Sequence, residues 1–255
     1  MNITPFGDVN TIINSLTEGL KNILDLNLVG LYLTGSLSYG DFNPKRSDID
    51  FLAVLNAPVS SEKLKKIEQL HKDIEKENKK WAERIECSYV TKDMLQNTLP
   101  PKTPRPYIGE GKFYSKAPYG NEWIINLYWL YSKGKTIAGP DFKTFIKPVD
   151  IADVQKASVR DLFKEWQPKI KDPDYLKNSH YQSYVVLNLC RLLYTMVCNK
   201  LATKKISASW VKNEYPEWKN LVKIAEDWGY GKEMNLQEET INFIQFVIDG
   251  VNKKD

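Results

Sequence analysis

Two aspartates, Asp48 and Asp50, stand one residue apart in the stretch RSDIDFLAV, just ahead of an apolar run that reads as a buried strand. Alternate side chains of a strand share a face, so Asp48 and Asp50 project one way while Ile49 and Phe51 project the other. Carboxylates placed like this repel each other unless a cation lies between them. A hard divalent ion such as Mg2+ takes oxygen ligands and binds one or two carboxylates together with phosphate oxygens. Upstream, Gly35 and Ser36 follow the apolar run GLYL. Glycine permits a tight turn with close backbone approach, and backbone N–H groups with a serine hydroxyl can hold phosphate oxygens. A third acid, Glu86, opens a further apolar run, IECSYV. It can extend a metal site, act as base toward an attacking hydroxyl, or do both. A lone Asp-x-Asp is more often a turn or a cap, and a lone Gly-Ser is weaker still. The weight lies in their order: strand, Gly-Ser, Asp-x-Asp, strand, and a later strand acid.

These residues need strands to hold them. Val29 to Leu33 and Ile49 to Leu55 are short, apolar and partly β-branched, and read as strands, with RIECSYV (84–90) as a third. A helix is expected over 9–26, where Val9, Ile12, Ile13, Leu16, Leu20, Ile23 and Leu24 recur at helical spacing. Ser60 or Ser61 can cap another helix through about Trp81, and TKDML can open a short one. The stretch from Pro100 to Pro118 is rich in Pro, Gly and Tyr and reads as a long connection. Asn121 to Ser132 reads as helix, ending at the KGK turn and Ala-Gly-Pro. Strand signals stop near residue 150, and helical patterns follow at 151–167, 180–200, 206–226 and 236–252. The expected fold is an α/β N-terminal domain over 1–150, a mixed sheet with helices, followed by an all-α helical bundle over 151–255.

With 42% hydrophobic and 27% charged residues in 255, the chain can bury two ordinary cores. The net charge of +4 is mild, and lysines and acids alternate in runs such as EKLKKIEQLHKDIEKENKK, so a solvated helix face is expected there rather than a nucleic-acid stripe. No window approaches the roughly 20 apolar residues of a membrane span. The first residues, MNITPFGDVNT, carry neither a basic leader nor an apolar h-region. Cys87, Cys190 and Cys198 lack metal-ligand spacing and are expected as reduced, mostly buried thiols of a cytoplasmic protein. His71 and His180 are too few to suggest histidine catalysis or a zinc site.

The stretch GSLSYGDFNPKRSDIDFLAV resembles the nucleotidyltransferase signature of the DNA polymerase β superfamily, a Gly-Ser followed by Asp-x-Asp and a distal acid. More narrowly, the chain is similar to the aminoglycoside adenylyltransferases that modify streptomycin and spectinomycin. IECSYV matches their strand with the third acid, IAGPD (137–141) their Gly-Pro-Asp turn, and NLCRLLYTMVCNKLATKKISASW (188–210) their arginine-bearing helix with its lysine turn and tryptophan. The resemblance implies an N-terminal nucleotidyltransferase domain and a C-terminal helical bundle. It also implies ATP as co-substrate and Mg2+, as two ions, on Asp48 and Asp50, with Glu86 as third acid and base. Ser36, beside Gly35, would touch ATP phosphate, and Arg191 and Lys204, with Lys205 as a rival, would reach it from the helical domain. A monomer is implied, with the acceptor bound between the domains. From its own surroundings, VVLNLCRLLYTMV, Arg191 suits a structural salt bridge equally well.

The match thins where the drug would bind. In the family a tryptophan follows a Gly-Glu in the mid-chain loop, whereas Gly109-Glu110 is followed here by Gly111. An acid ahead of the arginine-bearing helix is missing from HYQSY (180–184). Trp166 can stack on a ligand or simply pack in the core, and Asp161, Glu165, Asp172 and Asp174 are candidate acids for a polycationic acceptor. Two rival functions remain: transfer to a different small molecule, a protein or an RNA, or nucleotide binding without transfer.

Overall fold

The computed structural model describes residues 3–96, 99–120 and 122–252. The chain divides between Val149 and Asp150 into two compact units.

In the first unit the apolar stripe of the opening segment forms helix α1 (Gly7–Leu24), with Val9, Ile12, Ile13, Leu16 and Leu20 fully buried. The chain then runs through β1 (Leu28–Leu33), a short helix α2 (Gly35–Tyr39), β2 (Ile49–Leu55), α3 (Ser61–Glu77) and β3 (Ile85–Thr91). The Ser60 hydroxyl accepts from the Lys63 N–H and caps α3. That helix stops short of the expected Trp81, whose buried indole donates to Asp8 at 2.9 Å.

The expected connection over 100–118 is instead a β-hairpin, β4 (Arg105–Gly109) and β5 (Lys112–Ala117). Gly109 pairs with Lys112, so the turn is Glu110-Gly111, and both residues take positive φ, 50° and 68°. Two positive φ values in a two-residue loop are the requirement of the turn whose twist matches the strands. Helix α4 (Glu122–Lys133) follows, with the expected first residue, Asn121, lying outside the described residues. The segment read as a turn after it adds an edge strand, β6 (Lys135–Ala138).

The sheet order is β5-β4-β3-β2-β1-β6, with β2 and β3 parallel and the other neighbours antiparallel. Leu31, Leu33, Ile49, Phe51, Ile85 and Cys87 face α1 and α3. Tyr32, Leu52, Val54 and Val90 face the other way, against Trp123, Leu127 and Leu130 of α4.

The second unit shows no strand among its described residues. Its helices are α5 (Ile151–Asp161), α6 (Pro168–Lys171), α7 (Ser179–Cys198), α8 (Lys204–Glu214), α9 (Lys219–Asp227) and α10 (Gln237–Asn252). The pattern expected as one helix over 206–226 is two, because Pro216 has no N–H to continue a helix. A π-helical turn, Leu162–Trp166, links α5 to α6. Trp166 is buried in the core of this unit, in a T-shaped contact with Tyr184, as core packing requires.

Candidate active site

The parallel register of β2 and β3 sets Asp50 directly opposite Glu86 and Phe51 opposite Cys87. As the alternation requires, Ile49 and Phe51 are buried in the core under α1 and α3, which leaves Asp50 on the opposite face. Two carboxylates thus lie side by side on one face of the sheet, with Asp48 just ahead of the strand.

Gly35 closes on this pair from β1. Its φ is +60°, and the Thr34 N–H donates to the Asp50 carbonyl at 2.9 Å. A Cβ at position 35 would stand 1.8 Å from Asp50 Oδ2. Glycine is therefore required twice, for its backbone angle and for the carboxylate beside it. Ser36 follows in the first turn of α2, which ends at Gly40 in the left-handed region.

Asp48 is held by its loop. The Asn43 N–H donates to Ser47 Oγ and the Ser47 N–H to the Asn43 carbonyl, which folds residues 43–47 into a turn. The Arg84 side chain is buried and binds that turn, donating to the carbonyls of Pro44 and Ser47. Its guanidinium lies 4.5 Å from the centre of the Trp81 ring, and its Nε is 3.8 Å from Asp48 Oδ1. Arg84 was expected only as the first residue of the third strand, which in fact begins at Ile85, and nothing in the sequence signalled that it clamps the aspartate loop.

Glu86 bears the electrostatic strain. Burial, and then the charges of Asp50 and Asp48, push its carboxyl up to about 8. A hydrogen bond from the Tyr107 hydroxyl works in the opposite direction. A carboxyl titrating near neutrality suits a general base, and the mutual repulsion of the three acids is what a bound cation relieves.

The donors fit Mg2+. All are hard carboxylate oxygens, and Asp50 and Glu86 are adjacent on one face. Among the described residues no group of three or more His, Cys, Asp or Glu closes into a cage for a metal. Asp48, Asp50 and Glu86 therefore do not form a ready-made three-carboxylate site; Mg2+ usually binds one or two carboxylates and takes water and substrate phosphates for the rest of its shell.

In the second unit, Tyr184, Asn188 and Arg191 follow one another at helical spacing along one face of α7. Arg191 Nη2 donates to Asn188 Oδ1 at 2.9 Å, and no ion pair of Arg191 occurs among the described residues. Lys204 opens α8 and packs its ammonium 4.5 Å from the centre of the Tyr184 ring, whereas Lys205 is exposed. Through Tyr184, Lys204 packs against the helix that carries Arg191.

Comparisons with known proteins match both units. A family model described as a nucleotidyltransferase domain matches residues 14–99, and one described as the C-terminal domain of aminoglycoside adenylyltransferases matches residues 144–250. The chain is thus similar to the aminoglycoside adenylyltransferases. A spectinomycin 9-adenylyltransferase from Enterococcus faecalis is 25% identical over 94% of this chain and 93% of its own. One from Campylobacter jejuni is 26% identical over 85% and 82%. A solved Enterococcus spectinomycin adenyltransferase with ATP and spectinomycin shares the fold, with a TM-score of 0.72 at 22% identity, covering 94% of this chain and 99% of that one. Gly35, Asp48, Asp50 and Glu86 lie within the first matched stretch, and Arg191 and Lys204 within the second. Gly111, which stands after Gly109-Glu110, takes a positive φ in the β4–β5 turn, and a Cβ there would meet Glu83 Cγ at 2.9 Å.

Proposed function

We propose that this adenylyltransferase carries AMP from ATP to a hydroxyl of spectinomycin or a closely related aminocyclitol, releasing pyrophosphate and conferring resistance. The substrate class follows from relatives named for spectinomycin along most of their length. The observation that carries the chemistry is the in-register pair Asp50–Glu86, closed on one side by Gly35.

In this reading Asp48 and Asp50 hold Mg2+, with Glu86 able to share it. Bound there, the ion would neutralise the charge of the triphosphate and its leaving group. The Gly35-Ser36 backbone and the Ser36 hydroxyl hold phosphate oxygens. Glu86 accepts the proton of the acceptor hydroxyl, whose oxygen attacks the α-phosphorus as the bond to pyrophosphate breaks. Arg191 and Lys204 bind the phosphate chain through charged hydrogen bonds. The protein works in the cytoplasm, as a monomer. Among the described residues no helix is long and apolar enough to cross a membrane.

The test is pyrophosphate release from ATP and Mg2+ against spectinomycin, streptomycin and unrelated aminoglycosides, with Asp50→Asn as control. Release that requires spectinomycin and vanishes in the variant is the expected result. Release in Asp50→Asn at the wild-type rate, or equal release without any drug, would overturn it.

A further inference from the structure

The hairpin hidden in the Pro- and Gly-rich stretch brings a side chain to the site that neither the acids nor the glycine motif announces. Strand β4 lies antiparallel to β3, pairing Ser88 with Tyr107 and Cys87 with Ile108. Continued by one residue, that register sets Glu86 across from Gly109. Diagonal neighbours on one face of an antiparallel pair come within reach of a long aromatic side chain. Tyr107 is the diagonal neighbour of Glu86, and its hydroxyl donates to the Glu86 carboxylate.

The way across is open because residue 109 has no side chain. A Cβ there would stand 2.3 Å from the Tyr107 hydroxyl and 2.6 Å from its Cζ. No positive φ requires glycine at 109, so the space it leaves is the physical reason for a glycine here. On the other side, the Arg105 guanidinium lies 4.7 Å from the centre of the Tyr107 ring and 4.0 Å from that of Tyr119. Arg105 is itself buried, donating to Ser88 Oγ at 3.3 Å and to the Ala117 and Pro118 carbonyls. The Tyr114 ring stacks on Tyr107 at 6.3 Å. The guanidinium and the second ring hold the Tyr107 ring, and the vacant Cβ position at 109 leaves room for its hydroxyl.

We propose that Tyr107 is the positioning residue of Glu86, fixing the carboxylate toward the acceptor hydroxyl, and that Gly109 is retained to let its hydroxyl through. This rests on Glu86 being the base. Tyr107 touches no substrate atom; it acts by holding one rotamer of the group that does.

Tyr107→Phe keeps the ring, its stack and the guanidinium contact and removes only the oxygen. The expected result is a fall in kcat of about tenfold or more, the worth of a hydrogen bond to a charged group. KM for ATP and the melting temperature should stay near wild type. Gly109→Ala, which displaces the same hydroxyl by contact, should show the same split between kcat and KM. Crystal structures of both variants should show the Glu86 carboxylate rotated away from its wild-type position. An unmoved carboxylate in Tyr107→Phe would overturn the proposal, as would unchanged kcat, or equal losses in kcat and 1/KM with a lowered melting temperature. The structures decide the matter whether or not an acceptor is in hand. Glu86→Gln separates the two claims: full turnover in that variant removes Glu86 as base, while a dead Glu86→Gln beside an unaffected Tyr107→Phe removes only the positioning role.

Discussion

Replacing Gly35 with alanine adds one methyl group to the protein, and the surroundings of that methyl allow its effect to be worked out. The new Cβ would sit 1.8 Å from Asp50 Oδ2 and 2.5 Å from its Cγ, where real Cβ atoms stay beyond 3.0 Å, so the carboxylate must retreat by about 1.2 Å. The pairing of its strand on both sides fixes the Asp50 backbone, so the carboxylate can retreat only by turning about its side-chain bonds, away from its wild-type position. A displacement of about 1 Å at a reacting centre costs roughly 10²-fold in rate. The backbone adds a second, separate effect: a non-glycine residue at φ +60° is disfavoured by about 1–2 kcal/mol. Gly35→Ala should therefore melt a few degrees low yet remain folded, while turnover in the pyrophosphate assay falls about a hundredfold. The two effects can be separated. In an Asp50→Ala background the carboxylate is gone, so adding Gly35→Ala should lower stability again without further loss of residual activity. Near-normal turnover in Gly35→Ala would refute the reasoning, and so would full additivity of the two losses in kcat.

Other outcomes follow from the same geometry. Arg84→Met leaves the Pro44 and Ser47 carbonyls without their donor, at about 1–3 kcal/mol each if they stay buried; a lowered melting temperature and weaker Mg2+-dependent turnover are expected. If Arg191 binds the phosphate chain as proposed, Arg191→Met should raise KM for ATP about tenfold with little change in kcat, in steady-state kinetics at varied ATP. His71 is fully buried beneath the sheet with Nε2 2.6 Å from the Tyr89 hydroxyl, and burial lowers its ring from 6.5 to about 4. The unfolded chain takes up that proton first, so stability should fall as pH drops from 6.5 toward 4, by up to roughly 3 kcal/mol. Urea titrations at several pH values measure that slope, which His71→Gln should flatten.

The strands carrying the acids were legible because their signals are strong: LVGLYL, IDFLAVL and IECSYVT are apolar and β-rich, and their alternation alone places Asp50 opposite Ile49 and Phe51. The hairpin was not. Proline within a run argues against an inner strand, yet Pro106 lies in β4, between β3 and β5. The β4–β5 register shifts between Arg105 and Tyr107, so the ladder is irregular where the proline falls. Its turn begins with Glu110 rather than the Asn or Asp that announces a two-residue hairpin. Strand β5 is mostly exposed and carries Lys112 and Lys116, as sheet edges often do, and so lacks apolar alternation. Missing the hairpin meant missing Tyr107, a neighbour of Glu86 that no acid-based motif reveals. Arg84 escaped for a different reason: its function depends on two carbonyls some forty residues away in the chain.

The in-register Asp50–Glu86 pair also bears on folding. A sheet that must place two acids side by side is less stable in its resting state than the same sheet with a cation and phosphates in place. Anything that binds there and ignores the unfolded chain adds stability by mass action, about 2.7 kcal/mol at a hundredfold excess over its dissociation constant. Substrate occupancy and survival of the enzyme are then one equilibrium. The protein should be hardest to unfold, and slowest to be degraded, in a cell whose nucleotide supply keeps the site filled, and should lose that protection when energy runs low.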